Sequence, residues 1–319
     1  MSSSQRGVGD APSRVGASSA AQKVLVVGAG VMGRGIAGLC ALTGYDTWVF
    51  DADPGAQRAV RGSIESSWSR AIEKGKVTTA AAEAARHRLR IAERLRDAAN
   101  VDFVIEAVPE ALDLKRMVLS ELDDVCPDRT VFGSNTSSLP ITRIAHATGR
   151  RDRVIGIHFF NPVAAMPLVE IVRGRETSPE TEERAVAFAR SLGKEVVRVA
   201  DSPGFATSRL GVALGLEAMR MLEEGVASAA DIDRAMELGY GHRMGPLKTS
   251  DVVGLDVRLA IAETLSAELP SERFAPPGIL RELVADGRTG KKAGEGFFRW
   301  EGERAVAEGA RAAALARKR

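Results

Sequence analysis

The sequence predicts an α/β N-terminal domain with a doubly wound, mostly parallel sheet, followed by an all-α C-terminal domain. Over residues 23–200, short apolar runs alternate with helical patterns, which is typical of consecutive βαβ units. From residue 201 to 319, strand patterns stop and amphipathic helical patterns take over. The length of 319 residues is enough for about two domains of ordinary size.

The composition argues against several classes of protein. A net charge of +2 and an aromatic content of 5% disfavour a nucleic-acid partner, which requires basic patches or stacking surfaces. No apolar run approaches the roughly 20 residues of a membrane helix, so we expect no membrane association. The two cysteines, Cys40 and Cys126, form no C-x-x-C motif. We therefore expect neither a disulfide nor a metal site, and a cytoplasmic location.

The first 22 residues are rich in Ser, Gly and Ala and have no apolar core. They are expected to form a disordered N-terminal extension rather than a secretory signal. The Ser and Arg content also suits a transit peptide, which Asp10 and the weak amphipathicity disfavour. The predicted division is thus an extension over 1–22, an α/β domain over 23–200 and a helical domain over 201–319.

The first predicted strand, Val24–Val27, leads directly into a glycine-rich turn and a helix. The turn is Gly28-Ala29-Gly30-Val31-Met32-Gly33, a G-x-G-x-x-G pattern, and Ile36–Leu42 continues as a helix. Such glycines permit a tight turn, close approach of a pyrophosphate and close packing of helix on sheet. The next strand, Thr47–Phe50, ends at Asp51, where a carboxylate can accept from ribose hydroxyls. The pattern favours a Rossmann-type dinucleotide-binding domain over a merely structural turn.

Asp51 also favours NAD over NADP, because a carboxylate repels a 2′-phosphate. No arginine follows it directly, although Arg58 and Arg61 lie further along the chain.

The remaining elements follow in alternation. Helices are predicted over Pro54–Gly75, Thr79–Arg88, Leu112–Val125 and from Ser178-Pro179 to about Gly193. Strands are predicted over Leu89–Ala92, Val101–Val108, Thr130–Gly133, Arg153–Phe160, Leu168–Val172 and Glu195–Val199. In the C-terminal domain, helices are predicted around Leu210–Leu222, from Ser228 to Gly239, over Val252–Leu269, over Pro277–Ala285 and in the tail from Glu303.

His158 is the strongest candidate among the four histidines for acid–base chemistry. It ends an apolar strand, and the strand ends of a parallel sheet face the ligand crevice. A buried structural histidine is an equally good reading of this position alone. Glu170 adds context, because a carboxylate in the apolar run PLVEIV is costly unless it is paired. A His158–Glu170 pair would hold the imidazole in one tautomer and stabilise its charged form.

Ser137 and Asn161 supply neutral donors near the same predicted crevice, and such donors can polarise a carbonyl oxygen. Ser- and Asn-rich segments are also frequent in ordinary turns. A Rossmann-type domain, a histidine base and neutral donors together predict hydride transfer between an alcohol and a ketone.

The chain closely resembles the 3-hydroxyacyl-CoA dehydrogenase family, in particular its short-chain 3-hydroxybutyryl-CoA branch. HFFNP followed by LVE is far more specific than the glycine motif. The resemblance implies NAD-dependent oxidation of a short-chain L-3-hydroxyacyl-CoA, and a homodimer formed through the C-terminal domain. The motifs occur in order between residues 23 and 300: GAGVMGRGIA, VIEAVPE, SNTSSLPIT, IHFFNPVAAMPLVEIV, DSPGF, MGP, DVVGLD and GKKAGEGFF.

The resemblance also implies roles for individual residues. His158 would be the general base, Glu170 its orienting partner and Ser137 the donor to the substrate 3-oxygen. Ser67 and Lys74 would hold the CoA end of the acyl-CoA substrate. The residues implied to contact NAD are Gly28, Gly30, Val31, Met32, Gly33, Asp51, Glu110, Lys115, Ser137, Asn161 and Lys292.

The chain departs from the family pattern at Ser208, which stands in PGFATSRL where the family has a catalytic asparagine. Serine keeps one O–H donor but is shorter and lacks the planar amide. Ser208 would then hold the substrate oxygen directly or through a water, or the role lies elsewhere. Ala164, Arg243 and Phe298 are smaller departures. Two alternatives stay open: a dehydrogenase of a free hydroxy acid, such as carnitine or a sugar acid, and a non-catalytic dinucleotide-binding relative.

Overall fold

The computed structural model describes residues 22–98, 100–269 and 271–316, so the expected N-terminal extension lies outside the described residues. The chain divides between Asp201 and Ser202 into two compact units. Each unit has its own cluster of buried apolar side chains. None of the described helices is both long and apolar enough to cross a membrane.

The first unit alternates strands and helices along the chain. Its strands are β1 (Lys23–Val27), β2 (Asp46–Phe50), β3 (Leu89–Ile91), β4 (Phe103–Glu106), β5 (Val131–Ser134), β6 (Val154–Phe159), β7 (Leu168–Arg173) and β8 (Glu195–Ala200). Its helices are α1 (Val31–Leu42), α2 (Pro54–Glu73), α3 (Thr79–Arg88), α4 (Leu112–Val125), α5 (Ile141–Ala145) and α6 (Pro179–Ser191).

These strands form one sheet in the order β3-β2-β1-β4-β5-β6-β7-β8. Neighbouring strands are parallel except β6 and β7, which are antiparallel. The chain builds outward from β1 to β3 and then crosses back to place β4 on the other side of β1. The predicted doubly wound, mostly parallel sheet is confirmed, and its topological switch point lies between β1 and β4.

The central strands of the sheet are apolar on both faces, and the helices pack against the sheet with one face. In β1, Val24, Leu25 and Val26 are completely buried, as expected for a central parallel strand. Helix α2 buries Ile64 and Trp68, one turn apart, and the Trp68 indole packs over Gly38 of α1. A side chain at Gly38 would crowd this contact, so the glycine allows α1 and α2 to approach closely.

The second unit is predominantly helical, which confirms the prediction. Its helices are α7 (Thr207–Glu223), α8 (Ala229–Gly239), α9 (Pro246–Val253), α10 (Leu255–Glu268), α11 (Gly278–Ala285) and α12 (Ala310–Ala316). The sequence predicts one helix over Val252–Leu269, but Gly254 has a φ of 104° and separates α9 from α10. The unit also contains an antiparallel hairpin, β9 (Phe298–Glu301) and β10 (Arg304–Glu308). The tail from Glu303 was predicted to be helical, which is wrong over β10 and correct over α12.

Candidate active site

The glycine-rich turn lies at the carboxyl end of β1, at the switch point of the sheet. Gly28 has a φ of 105°, and a Cβ there would lie 2.5 Å from the carbonyl oxygen of Ala107. A Cβ at Gly33 would overlap the carbonyl oxygen of Gly28. A Cβ at Gly30 would meet no described atom within 4 Å. Gly28 and Gly33 are therefore required by packing, whereas Gly30 leaves open space in front of the turn.

That space lies at the N-terminus of α1. Among the described residues no side chain caps this helix, so its first N–H groups are available to an anion. The Asp51 carboxylate lies at the end of β2 and accepts from the N–H of Ala29 at 2.6 Å and of Asp53 at 2.8 Å. Each carboxylate oxygen has a second lone pair for a further donor. An uncapped helix, an open glycine and an adjacent carboxylate fit a dinucleotide.

His158 and Glu170 face each other across the antiparallel pair β6–β7. The His158 Nδ1 lies 2.8 Å from Glu170 Oε2, and the two side chains are 8% and 0% exposed. The His158 ring also packs against Phe160, with 4.4 Å between the ring centroids. Because the carboxylate faces Nδ1, the neutral imidazole carries its proton there and keeps the lone pair on Nε2. The side-chain pair expected from the sequence is formed.

A second buried cluster lies at the carboxyl end of β4. The Lys115 amine is 1% exposed and lies 2.7 Å from Glu106 Oε1, 3.2 Å from Glu110 Oε2 and 3.2 Å from the Val108 carbonyl oxygen. These three contacts account for all three protons of the ammonium group. The Ser134 hydroxyl donates to Glu106 at 2.6 Å. The amine of Lys115 is thus occupied inside the protein, and its expected contact with NAD stays a prediction.

Glu110 connects this cluster to the segment that carries Ser137. Its Oε1 accepts from the Thr136 hydroxyl at 2.6 Å and from the Ser137 N–H at 2.9 Å. The Asn135 side-chain oxygen accepts from the N–H of Phe159 at 2.9 Å. Since Phe159 follows His158 directly, this bond ties the Ser137 segment to the strand of the histidine. The structure therefore positions Ser137 and His158 from adjacent strand ends.

Burial and charge act in opposite directions on the two glutamates. Burial raises the pKa of Glu106 above its ordinary value, although the Lys115 charge and three hydrogen-bond donors oppose it. Burial would also raise the pKa of Glu110, but the Lys115 charge and the donors from Thr136 and Ser137 outweigh it and the pKa is lowered. The pKa values of these two neighbouring glutamates are therefore shifted in opposite directions.

The other predicted residues of the first unit are on its surface. Asn161 follows β6 and is exposed. Ser67 is exposed on α2, and Lys74 caps the C-terminus of this helix and is also exposed. Their separation of seven residues places them on one helix face, two turns apart.

Two predicted residues belong to the second unit. Ser208 lies in the first turn of α7. Lys292 lies in a short 3-10 turn, where its amine is 2.6 Å from Asp256 Oδ2. This bond uses one of the three protons of Lys292.

Neither Asn135 nor Glu106 was assigned a role from the sequence. The sequence does indicate that Glu106 needs a buried partner, because it stands in the apolar run VDFVIEAV just as Glu170 stands in PLVEIV. Across the described ranges, no three His, Cys, Asp or Glu side chains are grouped to hold a metal ion.

Comparison with known proteins links this geometry to one family. Residues 23–202 match the family model described as 3-hydroxyacyl-CoA dehydrogenase, NAD binding domain. Residues 204–300 match the model described as 3-hydroxyacyl-CoA dehydrogenase, C-terminal domain.

Individual relatives agree over most of the chain. A 3-hydroxybutyryl-CoA dehydrogenase of Mycobacterium tuberculosis is 43% identical over 283 residues, covering 88% of this chain and 99% of the relative. The human mitochondrial hydroxyacyl-coenzyme A dehydrogenase is 40% identical, covering 89% and 95%. The crystal structure of (S)-3-hydroxybutyryl-CoA dehydrogenase from Ralstonia eutropha has a TM-score of 0.85 and 39% identity, covering 88% of this chain and all of that one.

Proposed function

The chain belongs to the 3-hydroxyacyl-CoA dehydrogenase family, and we propose that it oxidises short-chain L-3-hydroxyacyl-CoA, such as 3-hydroxybutyryl-CoA, to the 3-oxoacyl-CoA. Its cofactor is NAD. The observation that carries the proposal is the buried His158–Glu170 pair at the carboxyl end of β6, at the same edge of the sheet as the glycine turn.

His158 acts as the general base in this proposal. Its Nε2 takes the proton from the substrate 3-hydroxyl as the C3–H bond breaks. Bound NAD supplies the nicotinamide ring that accepts the hydride from C3. Glu170 holds Nδ1–H at 2.8 Å and stabilises the positive charge that develops on the ring. In the reverse direction His158 returns the proton to the carbonyl oxygen.

Ser137 donates to the substrate 3-oxygen in this proposal. Glu110 and Asn135 hold the backbone of its segment, from which the hydroxyl extends. Ser208 is assigned the same chemical role, that of a hydroxyl donor to the 3-oxygen. Ser67 and the Lys74 ammonium are assigned to the CoA end, where a cation suits phosphate groups.

The proposal includes two further points. The enzyme is a homodimer formed through its C-terminal domain, which light scattering during gel filtration would measure. It works in the cytoplasm, which fractionation of the producing cells would establish.

The proposed reaction is tested by the loss of NADH absorbance after acetoacetyl-CoA is added to the purified protein. We expect rapid oxidation of NADH, much slower oxidation of NADPH, and none with free acetoacetate. Turnover of free acetoacetate would favour a dehydrogenase of free hydroxy acids. Tight NADH binding without turnover of any 3-oxo compound would overturn the proposal.

A further inference from the structure

The β6–β7 loop, residues 160–167, joins the two strands that carry His158 and Glu170. Its first two residues belong to the proposed site. The Phe160 ring packs against the His158 ring, with 4.4 Å between the ring centroids, and Asn161 is expected to contact NAD. The position of this loop therefore affects both the base and the cofactor.

The loop itself is largely on the surface. Five of its eight residues are exposed, so it has little apolar side-chain packing to hold it in one place. Val163 is its buried residue, at 4% exposure. The N–H groups of Ala165 and Met166 both donate to the Pro162 carbonyl oxygen, which gives the loop one internal turn. Its position on the protein depends on contacts with residues outside it.

Lys194 makes one of these contacts. It directly precedes β8 and is 7% exposed. Its Nζ donates to the carbonyl oxygen of Val163 at 2.6 Å and to that of Met166 at 2.8 Å. Because β7 and β8 run opposite to β6, the amino end of β8 lies at the sheet edge where β6 ends. One ammonium group thus joins the loop to the start of β8 at the edge that carries the site.

A second contact holds the same loop residue on α1. A Cβ at Gly35 would lie 2.8 Å from Val163 Cγ2, so the valine side chain lies directly against this helix. Val163 is therefore held by its carbonyl oxygen at Lys194 and by its side chain at α1. These two contacts place the loop against the helix that begins at the glycine turn.

A buried ammonium group has an energetic cost that its two hydrogen bonds offset. Burial lowers the pKa of Lys194 below its ordinary value, and no carboxylate among the described residues opposes this effect. Hydrogen bonds from a charged donor are stronger than those from a neutral one. The acceptors are backbone carbonyl groups of the loop, so the side chain acts on the position of the loop.

We propose that Lys194 is a positioning residue of the active site, which holds the β6–β7 loop against α1 and thereby places Phe160 on the His158 ring and Asn161 at the cofactor. The inference rests on the proposed function, in which His158 is the base and Asn161 contacts NAD. Loss of the ammonium group should therefore affect hydride transfer and NADH binding. The CoA end of the substrate, which is assigned to α2, should be bound as before.

Lys194→Met tests this role by kinetics, because it removes the charge but keeps most of the side-chain length. We expect the single-turnover rate of NADH oxidation by acetoacetyl-CoA to fall about tenfold to a hundredfold, as for misplaced reacting groups. The Kd for NADH should rise about threefold to tenfold, while the KM for acetoacetyl-CoA should change less than about twofold. Lys194→Arg should recover much of the loss, since it keeps a charged donor.

Lys23→Met is the matched control. Lys23 is a half-buried lysine of the same unit, at the amino end of β1 and thus at the opposite edge of the sheet. This variant should keep the wild-type single-turnover rate and the wild-type Kd for NADH.

Proteolysis of the folded protein measures the position of the loop without reference to turnover. Chymotrypsin cleaves after aromatic residues, and the bond between Phe160 and Asn161 lies at the start of the loop. Lys194→Met should be cleaved at this bond at least about tenfold faster than wild type, because the loop is released from β8. Lys23→Met should be cleaved at the wild-type rate. Mass spectrometry of the fragments identifies the cleaved bond.

Melting temperatures identify a variant that fails to fold. If Lys194→Met does so, Lys194→Gln is measured in its place, because an uncharged amide can donate to one of the two carbonyl groups. We expect faster cleavage and slower hydride transfer in Lys194→Gln as well.

Two results in a folded variant at position 194 would overturn the inference. The first is cleavage at the wild-type rate. The second is faster cleavage with an unchanged single-turnover rate, which would make Lys194 a structural residue of the loop alone. Failure of the proposed function is distinguishable, because the wild type itself would then reduce no 3-oxoacyl-CoA, whereas cleavage and NADH binding would still report on the loop.

Discussion

Burying the Glu170 carboxylate in an apolar strand costs free energy. This cost made Glu170 recognisable from the sequence as a residue that needs a partner. A carboxylate that is 0% exposed in the middle of an apolar strand needs a partner, and His158 provides it at 2.8 Å across the β6–β7 pair. The sequence predicted the residues and their pairing. It could not predict the strand direction that makes the pairing possible, because two strands separated by eight residues can be arranged in either sense.

Replacing Glu170 by glutamine should lower kcat by about a hundredfold, within the usual range for general base catalysis. The amide keeps the shape of the side chain but no longer stabilises the charged imidazole. Steady-state kinetics with acetoacetyl-CoA would measure the loss, while the Kd for NADH should be unchanged. Glu176→Gln is the matched control, because Glu176 lies 3.2 Å from His146 in an exposed pair. Equal losses in both variants would contradict the assignment.

The glycine turn has two separable functions within one short segment. Gly33 allows α1 to pack against the turn, and Gly30 leaves the space that a pyrophosphate would fill. The G-x-G-x-x-G spacing identified the segment from sequence. Only the contacts in the folded protein show which glycine is needed for packing and which is needed for access.

Gly30→Ala should leave the melting temperature unchanged and weaken NADH binding by tenfold or more. The backbone at Gly30 has a φ of −64°, which alanine adopts freely, and the added methyl group enters only the open space. Gly33→Ala should instead destabilise the fold by about 1 to 3 kcal/mol or more, because its Cβ overlaps a backbone oxygen.

Thermal melting and fluorescence titration with NADH would distinguish these effects. Gly62→Ala on α2, where a Cβ also meets no described atom within 4 Å, should change neither property for the worse. A Gly30→Ala protein that binds NADH as tightly as wild type would rule out the access role.

The elements that sequence reasoning missed depend on contacts between distant segments. The β9–β10 hairpin is held by a contact with a distant segment, in which the Trp300 indole donates to Asp251 Oδ2 at 2.9 Å. Lys115 was expected only to contact NAD. Helical periodicity does not reveal that Glu106 and Glu110, from the preceding strand and loop, lie beside its amine. Hydrophobic periodicity predicted the order of strands and helices in the first unit. It does not predict which side chains from distant segments come into contact in the folded protein.

In the second unit, burial raises the pKa of two carboxyl groups, those of Asp233 and Asp251. Asp251 is completely buried and accepts from the N–H groups of Phe297 and Phe298, each at 2.9 Å, as well as from Trp300. Burial nevertheless raises its pKa to about 6, with the charge of Asp233 acting in the same direction. The folded chain therefore retains this proton in a pH range where the unfolded chain has lost it.

It follows that the contribution of Asp251 to stability should fall as pH rises from about 4 to about 6. Below the unfolded pKa both states are protonated and the stabilisation is complete; above the folded pKa it is lost. As pH rises over this range, the melting temperature of the wild type should therefore fall relative to that of Asp251→Asn. Asp128→Asn, at a fully exposed position, should show no such trend. A wild-type advantage that grows with pH would contradict the prediction.

The most direct measurement is the single-turnover rate of NADH oxidation by acetoacetyl-CoA in wild type and in His158→Ala. We predict that the variant binds NADH normally and transfers hydride about a thousandfold more slowly, because no group at β6 can supply the proton. His87→Ala, at an exposed histidine, should react like wild type. A His158→Ala enzyme that turns over at a near-normal rate would contradict the assignment of the base and, with it, the proposed mechanism.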